Sequence, residues 1–262
     1  MRKVIMIYIG ICMGFLMGCG SAENAVNLFT LQDDIALGEQ VRSEIESDSS
    51  GMEVLDSTKY SKIYGYLYGI RDSLLNSGQV RYKNEFPWRI RIIKDDSTLN
   101  AFCAPGGYIY VYTGILKFLD AEDQLAGVLG HEMGHADLRH STRQLTKMYG
   151  VQTIISLIAG DRELLKQVTS SLIGLSFSRT HEKEADECSV KYLCPTQYNS
   201  DAGALFFEKI SKEGGANPPE ILSTHPDPGN RVEAYRSHKL TYGCAGILNQ
   251  ADRYQKMIQT LP

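Results

Sequence analysis

What the chain lacks narrows its function first. It has no run of lysine or arginine and a formal net charge of −4, so it has no cationic face of the kind that binds nucleic acid. Beyond the first twenty residues no window holds 18 uninterrupted apolar residues. The nearest, "VQTIISLIAG", is far too short to span a bilayer. No C-x-x-C pair is present, which removes the usual cysteine-based metal sites, and there is no internal repeat or low-complexity tract. The 262 residues are 43% hydrophobic and 22% charged, which fits one globular domain or at most two small ones.

The opening segment, "MRKVIMIYIGICMGFLMGCGSAEN", stands apart from that domain. Arg2 and Lys3 form a short positive region, and Val4 to Met17 form an apolar core of signal-peptide length. It ends in "LMGC", which resembles the lipobox of bacterial lipoproteins. The resemblance implies cleavage after residue 18 and acylation of Cys19, so that residues 1–18 are a signal peptide and 19–28 a lipidated tether. Gly20 after the cysteine favours the outer membrane by the sorting rule of Gram-negative lipoproteins. Losing Arg2 and Lys3 makes the mature chain two charges more negative. Membrane attachment is then expected from lipid alone, with residues 29–262 as a domain in the aqueous envelope. Of the six cysteines, Cys103, Cys188, Cys194 and Cys244 lie in that domain, in a compartment that permits disulfides. Cys188 and Cys194, six apart on one helix, would sit about 9 Å apart, too far to pair. Cys194 beside Pro195 and Cys244 in the "YGCAG" turn are the expected bridge.

Along the domain, apolar residues recur at helical spacing at Leu31, Ile35, Val41 and Ile45, and again at Ile63, Leu67, Ile70 and Leu74. "WRIRII" alternates as a strand with one buried face. Pro105-Gly106-Gly107 is a turn, and Tyr108 to Thr113 is β-rich. A long helix is expected after Asp120, with Asp123 completing an approximate capping box. Residues 151–176 read as helices broken near Gly160-Asp161. "SFSRTHEKEADECSVKYL" is helical until Pro195, "DAGALFFEKISK" is another helix, and a final short helix begins near Asn230.

The long helix carries "LGHEMGHADLRH". His131 and His135 are one turn apart on one face, a separation that lets two imidazoles converge on one Zn²⁺ at about 2.0–2.1 Å. Glu132 beside them is placed as a general base that takes a proton from attacking water and passes it to the leaving amine. A third protein donor is needed. His140 does not fit the metzincin spacing, which requires glycine and histidine where this chain has Leu138 and Ser141. On a continuous helix it would lie about 140° round the axis from His135. It is expected to pack or hydrogen-bond at the helix end.

The segment "FSRTHEKEAD" supplies the alternative. Here the sequence resembles metallopeptidase family 48, the family of CAAX prenyl proteases, HtpX and the Oma- and BepA-type quality-control proteases. Their glutamate helix is matched by Phe177, Ser178, Arg179, Glu182, Ala185 and Asp186. The resemblance implies Glu182 as the third ligand, rather than Glu184, and Asp186 as the partner that orients a ligating histidine. "DDIALGEQV", "NAFCAPGGYIYVYTGIL" and "STHPDPGNRV" resemble three further family segments in the same order. The chain lacks the membrane helices of the prenyl proteases and HtpX, and is most similar to the small single-domain lipoprotein members.

The expectation is therefore a mostly helical α+β gluzincin domain with a small sheet beside the active-site helix and one Zn²⁺ held by His131, His135 and Glu182. Substrate polypeptide is expected to add a strand along a sheet edge at Gly107, Tyr108, Ile109, Tyr110 and Val111. His225 would steady the oxyanion or, as a fourth ligand, hold the enzyme latent. The function this implies is a metalloendopeptidase acting on misfolded or misassembled outer-membrane proteins, anchored by lipid and facing the periplasm beside the outer-membrane assembly machinery. The competing readings are a chaperone or assembly factor with weak or latent hydrolysis, and a zinc hydrolase of peptidoglycan or another amide.

Overall fold

The computed structural model describes residues 26–47, 50–213, 220–226 and 230–262. Residues 1–18, expected to be a signal peptide, lie outside them, as do Cys19 and most of the expected tether. Among the described residues the chain forms three strands and twelve helices: α1 Leu31–Ile45, α2 Ser61–Leu75, β1 Arg89–Ile93, β2 Ala101–Ala104, β3 Tyr108–Tyr112, α3 Thr113–Phe118, α4 Glu122–Asp137, α5 His140–Met148, α6 Val151–Ile158, α7 Arg162–Ile173, α8 Arg179–Leu193, α9 Gly203–Glu213, α10 Ile221–Thr224, α11 Arg231–Thr241 and α12 Ala251–Ile258. The fold is the mostly helical α+β arrangement, with one small sheet. None of these helices is long and apolar enough to cross a membrane.

Local chemistry accounts for the helix ends that matter. Thr30 and Asp33 form a reciprocal capping box on α1. Asp161 caps α7 by accepting from the Leu164 amide, and Ser178 caps α8 by accepting from the His181 amide. The cap expected from Asp120 on α4 does not form: the N-cap is Ala121, without a side-chain bond. The Asp120 carboxylate is drawn instead to Lys209, 2.7 Å away.

The sheet order is β1-β3-β2. β1 runs parallel to β3, with Ile90 opposite Ile109, and β2 runs antiparallel to β3, with Phe102 opposite Tyr110. β3 is therefore the central strand. This overturns the expectation that residues 107–111 offer a free edge: the strand is hydrogen-bonded on both sides, and all five residues Tyr108–Tyr112 are buried. Gly106 and Gly107, at φ 75° and 79°, make the tight turn that returns β2 into β3.

Side-chain alternation divides the core into two layers. Ile90, Ile92, Ile109 and Val111 face a cluster built on α2 and α4. Phe102, Tyr108, Tyr110 and Tyr112 face the opposite cluster, built on α1, α6 and α7. α4 thus lies under the sheet with every one of its residues buried, and α8 crosses it as its main helical neighbour.

Candidate metal centre

The crossing of α4 and α8 is set by absent side chains. A Cβ on Gly130 would lie 3.2 Å from the Cα of Ser189, and one on Gly134 would lie 2.8 Å from the Cβ of Cys188. With hydrogen at both positions the helices come close, and Ser189 Oγ donates to the Gly127 carbonyl at 2.8 Å. This approach brings His131 and His135 of α4 against Glu182 and Asp186 of α8. Just after α10, His225 closes the group from above.

Four donors meet there. The ligand atoms of His131, His135, Glu182 and His225 all lie within 4.8 Å of one another. His131 Nε2 and His135 Nε2 are 3.0 Å apart. Glu182 is 3.4 Å from His131 Nε2 and 3.3 Å from His135 Nε2. His225 Nδ1 is 3.2 Å from both Glu182 Oε1 and His131 Nε2. A tetrahedral zinc site with bonds near 2.0–2.1 Å has donor–donor edges of about 3.3–3.4 Å, so the spacing fits zinc.

Proton accounting gives the same answer. Asp186 Oδ1 accepts from His131 Nδ1 at 2.8 Å, so a neutral, ligating His131 directs its Nε2 lone pair into the cluster. The opposite nitrogen of His135 is also engaged, by His140 Nδ1 at 2.9 Å. Lone pairs and a carboxylate converging at this distance repel one another unless a cation sits among them.

The surrounding charges are tuned accordingly. Burial opposes ionisation of Glu182, but His225, His135 and His131 outweigh it and hold the carboxyl far below its usual range. Burial likewise opposes ionisation of Asp186, and Arg231 with His131 prevails and lowers its pKa. Burial holds the His135 imidazole well below its usual value, hence neutral. It works against charging His131 too, yet Asp186 and Glu182 push that group up to about 9: the cluster attracts a positive charge. Burial raises the Glu132 carboxyl against the pull of His225 and His131, making it a stronger base. Glu132 Oε2 accepts no hydrogen bond from the protein among the described residues. Glu132 lines a narrow cleft together with His131, Phe206, Phe207, His225 and Arg231.

Several residues of the centre carried no role in the sequence reading. Arg231 donates to both oxygens of Asp186, at 2.7 and 2.6 Å, and to Glu182 at 3.0 Å. Tyr235 adds a hydroxyl to Asp186 at 3.0 Å. Phe177 stacks on the His135 ring at 4.0 Å. Arg231 and Phe177 both fall in segments that resemble the family, which was the available signal. Glu184 stays out of the cluster and reaches His140 instead, at 3.1 Å. Away from the centre, Cys194 and Cys244 are bonded to each other, with Cα atoms 4.8 Å apart, while Cys103 and Cys188 are free.

Comparison with known proteins agrees with this geometry. The chain is 32% identical over 146 residues to the mitochondrial metalloendopeptidase OMA1 of Arabidopsis thaliana, which covers 55% of this chain and 30% of that protein. To the β-barrel assembly-enhancing protease of Escherichia coli K12 it is 28% identical over 191 residues, 67% of this chain and 39% of the relative. To metalloprotease YcaL of the same organism it is 26% identical over 228 residues, 84% and 86% of the two chains. The chain thus spans less than half the length of the OMA1 and assembly-enhancing relatives. The model of peptidase family M48 matches residues 65–239, a stretch that contains all four donors, Glu132, Asp186 and Arg231, and the chain belongs to that family.

Proposed function

We propose that this protein is a zinc-dependent metalloendopeptidase that cleaves extended or misfolded polypeptides in the bacterial envelope. The observation that carries the proposal is the convergence of His131, His135, Glu182 and His225, with Glu132 next to them on α4. When bound, zinc supplies Lewis-acid polarisation of the scissile carbonyl and of the attacking water. The chain's own groups do the rest. Glu132, buried and raised in basicity, accepts the proton from water and delivers it to the leaving amine. Asp186, held by Arg231 and Tyr235, keeps His131 in the ligating tautomer.

His225 sets the resting state. Its Nδ1 is among the donors and its Nε2 lies 3.6 Å from Glu132 Oε1, so the imidazole takes the place that water or an oxyanion needs. Withdrawal of the His225 imidazole frees that place and leaves it to donate a hydrogen bond to the tetrahedral intermediate. The start of α10 bears on where substrate adds. With β3 paired on both sides, the outer edge of β2 is the remaining candidate near the centre. The Asn100 carbonyl accepts from the Tyr112 amide of β3, so by alternation the backbone N–H and C=O groups of Ala101 and Cys103 point away from β3, while both side chains stay in the core and the Cys103 carbonyl is met by Ser141 Oγ at 3.4 Å. Ile221, at the start of α10, bonds the Leu99 carbonyl just before β2.

Attachment by a lipidated Cys19 and residence at the periplasmic face of the outer membrane are part of this reading. The lipobox, the Cys194–Cys244 bond and the likeness to an assembly-enhancing protease support them. Polypeptides are the substrates, and the outer-membrane assembly machinery is the partner the likeness points to. The second reading, an assembly factor with latent hydrolysis, is favoured by the inward position of His225. Unfolded outer-membrane protein incubated with the full chain separates the two. Hydrolysis that Glu132→Gln abolishes and His225→Ala accelerates supports the peptidase. No hydrolysis by wild type or His225→Ala, with zinc bound to both, refutes it.

A further inference from the structure

His135 is supported differently from His131. Where Asp186 touches His131 directly, the corresponding nitrogen of His135 meets a second imidazole: His135 Nδ1 and His140 Nδ1 are 2.9 Å apart, and His140 Nε2 lies 3.1 Å from Glu184 Oε2. We propose that His140 and Glu184 are positioning residues of the metal centre, a carboxylate–imidazole relay that fixes the tautomer and ring plane of His135. This rests on the zinc-centre reading and extends it to two residues outside the donor set.

Only one proton arrangement satisfies the chain. The Glu184 carboxylate is an acceptor, so His140 Nε2 carries hydrogen and donates to it. A neutral His140 then has its lone pair on Nδ1, which accepts from His135 Nδ1–H. That leaves the His135 Nε2 lone pair facing Glu182 and His131, as ligation requires. If His140 Nδ1 carried hydrogen instead, His135 Nδ1 would have to accept. A neutral His135 would then carry its hydrogen on Nε2, aimed into the donor cluster.

Packing holds the relay in place. His140 is fully buried. Its ring stacks on His181 with centroids 4.2 Å apart and planes 13° apart, and His135 is pressed from its other side by Phe177. The backbone aims it. α4 ends at Asp137 and α5 begins at His140, and between them Arg139 adopts φ 58°, ψ 36°. This left-handed residue is held by its side chain, which donates to Asp34 at 2.5 Å and to the Phe29 carbonyl at 2.6 Å. The reversal turns His140 back onto His135, where a continuous helix would have sent it away.

The test compares two side chains of similar size in the full chain, His140→Asn and His140→Leu. The asparagine amide oxygen keeps an acceptor near the position of the His140 Nδ1, and leucine offers none. Zinc affinity is measured by chelator competition. The absorption bands of the cobalt-substituted protein report the ligand field, and circular dichroism of the metal-free chain checks folding. The relay predicts affinity about 10–100-fold weaker for His140→Leu, shifted cobalt bands, and largely restored affinity for His140→Asn. Glu184→Ala, at a partly exposed position that tolerates change, is expected to weaken zinc in the same direction. Should His140→Leu not fold, Glu184→Ala against Glu184→Gln carries the comparison, since the amide oxygen still accepts from His140. Equal loss in the Leu and Asn variants, or no loss in either or in Glu184→Ala, overturns the relay while leaving the zinc centre intact. A folded wild-type chain that binds no zinc overturns both.

Discussion

Gly134→Ala is the most direct probe of how the centre is spaced. The new methyl would sit 2.8 Å from the Cys188 Cβ and 3.2 Å from both the Cα and the carbonyl oxygen of Ala185. Carbon atoms pack at about 3.5–4.0 Å, and all three obstacles are backbone or the first side-chain atom, so none can rotate aside. α4 and α8 must part by roughly 0.5 Å or more. That exceeds the tolerance of about 0.2 Å on metal–ligand distances, and the two helices carry His131 and His135 on one side and Glu182 on the other. Stability is a poor reporter here because two effects oppose: overpacking costs about 1–3 kcal/mol, while alanine improves on glycine in a helix by about 1 kcal/mol. The expected result is a net loss of about 0–2 kcal/mol by urea denaturation, with zinc affinity reduced about 10–100-fold by chelator competition. Gly69→Ala is the control. A Cβ there meets nothing within 4 Å, so it should gain up to about 1 kcal/mol and bind zinc as wild type does. Unchanged zinc binding in Gly134→Ala, with stability rising as in the control, would refute the claim that glycine sets the distance between the donors.

Two further predictions follow from the same structure. The bond between Cys194 and Cys244 closes a loop with a sequence separation of 50, so replacing both cysteines by serine should lower stability by up to about 4 kcal/mol, read as the urea midpoint with wild type measured with and without reductant; a midpoint indifferent to both would deny the bond. Burial raises the Asp123 carboxyl from 3.8 up to about 7, so between those values the folded chain keeps a proton that the unfolded chain releases. The Asp123 contribution to stability should therefore fall as pH rises from about 4 to about 7 and then level off, and the difference between the wild-type and Asp123→Asn profiles should show this decline; identical pH profiles would remove Asp123 as a source of it.

What could be read from the chain alone depended on how local the information is. The pairing of His131 with His135 is a matter of one helical turn, visible in five letters. The helical character of the fold and its family likewise came from periodicity and ordered motifs. The role of β3 was misjudged because strand order is not local: "YIYVY" reads as β wherever it lies, and only the return of β2 antiparallel and β1 parallel makes it central. The metzincin spacing excludes His140 as a ligand, and its expected hydrogen bonding at the helix end is found; only its direction differs, because an unbroken helix would turn it away from His135. Nothing in "ADLRHS" announces that Arg139 will turn left-handed, because its cause is Asp34, 105 residues earlier. Arg231 escaped a role for a similar reason, since its partners Glu182 and Asp186 lie on another helix.

The four converging donors also bear on the lifetime of the protein, apart from any reaction. They come from three separate parts of the chain, at 131–135, at 182 and at 225, and only the folded state brings them together. An ion bound to that state alone adds to its stability by mass action, about 4 kcal/mol at a free concentration a thousand times the dissociation constant, and relieves the repulsion among the lone pairs. Zinc supply thereby sets how long each copy stays folded and resists turnover, so scarcity of the metal would thin the population of the protein as well as silence it.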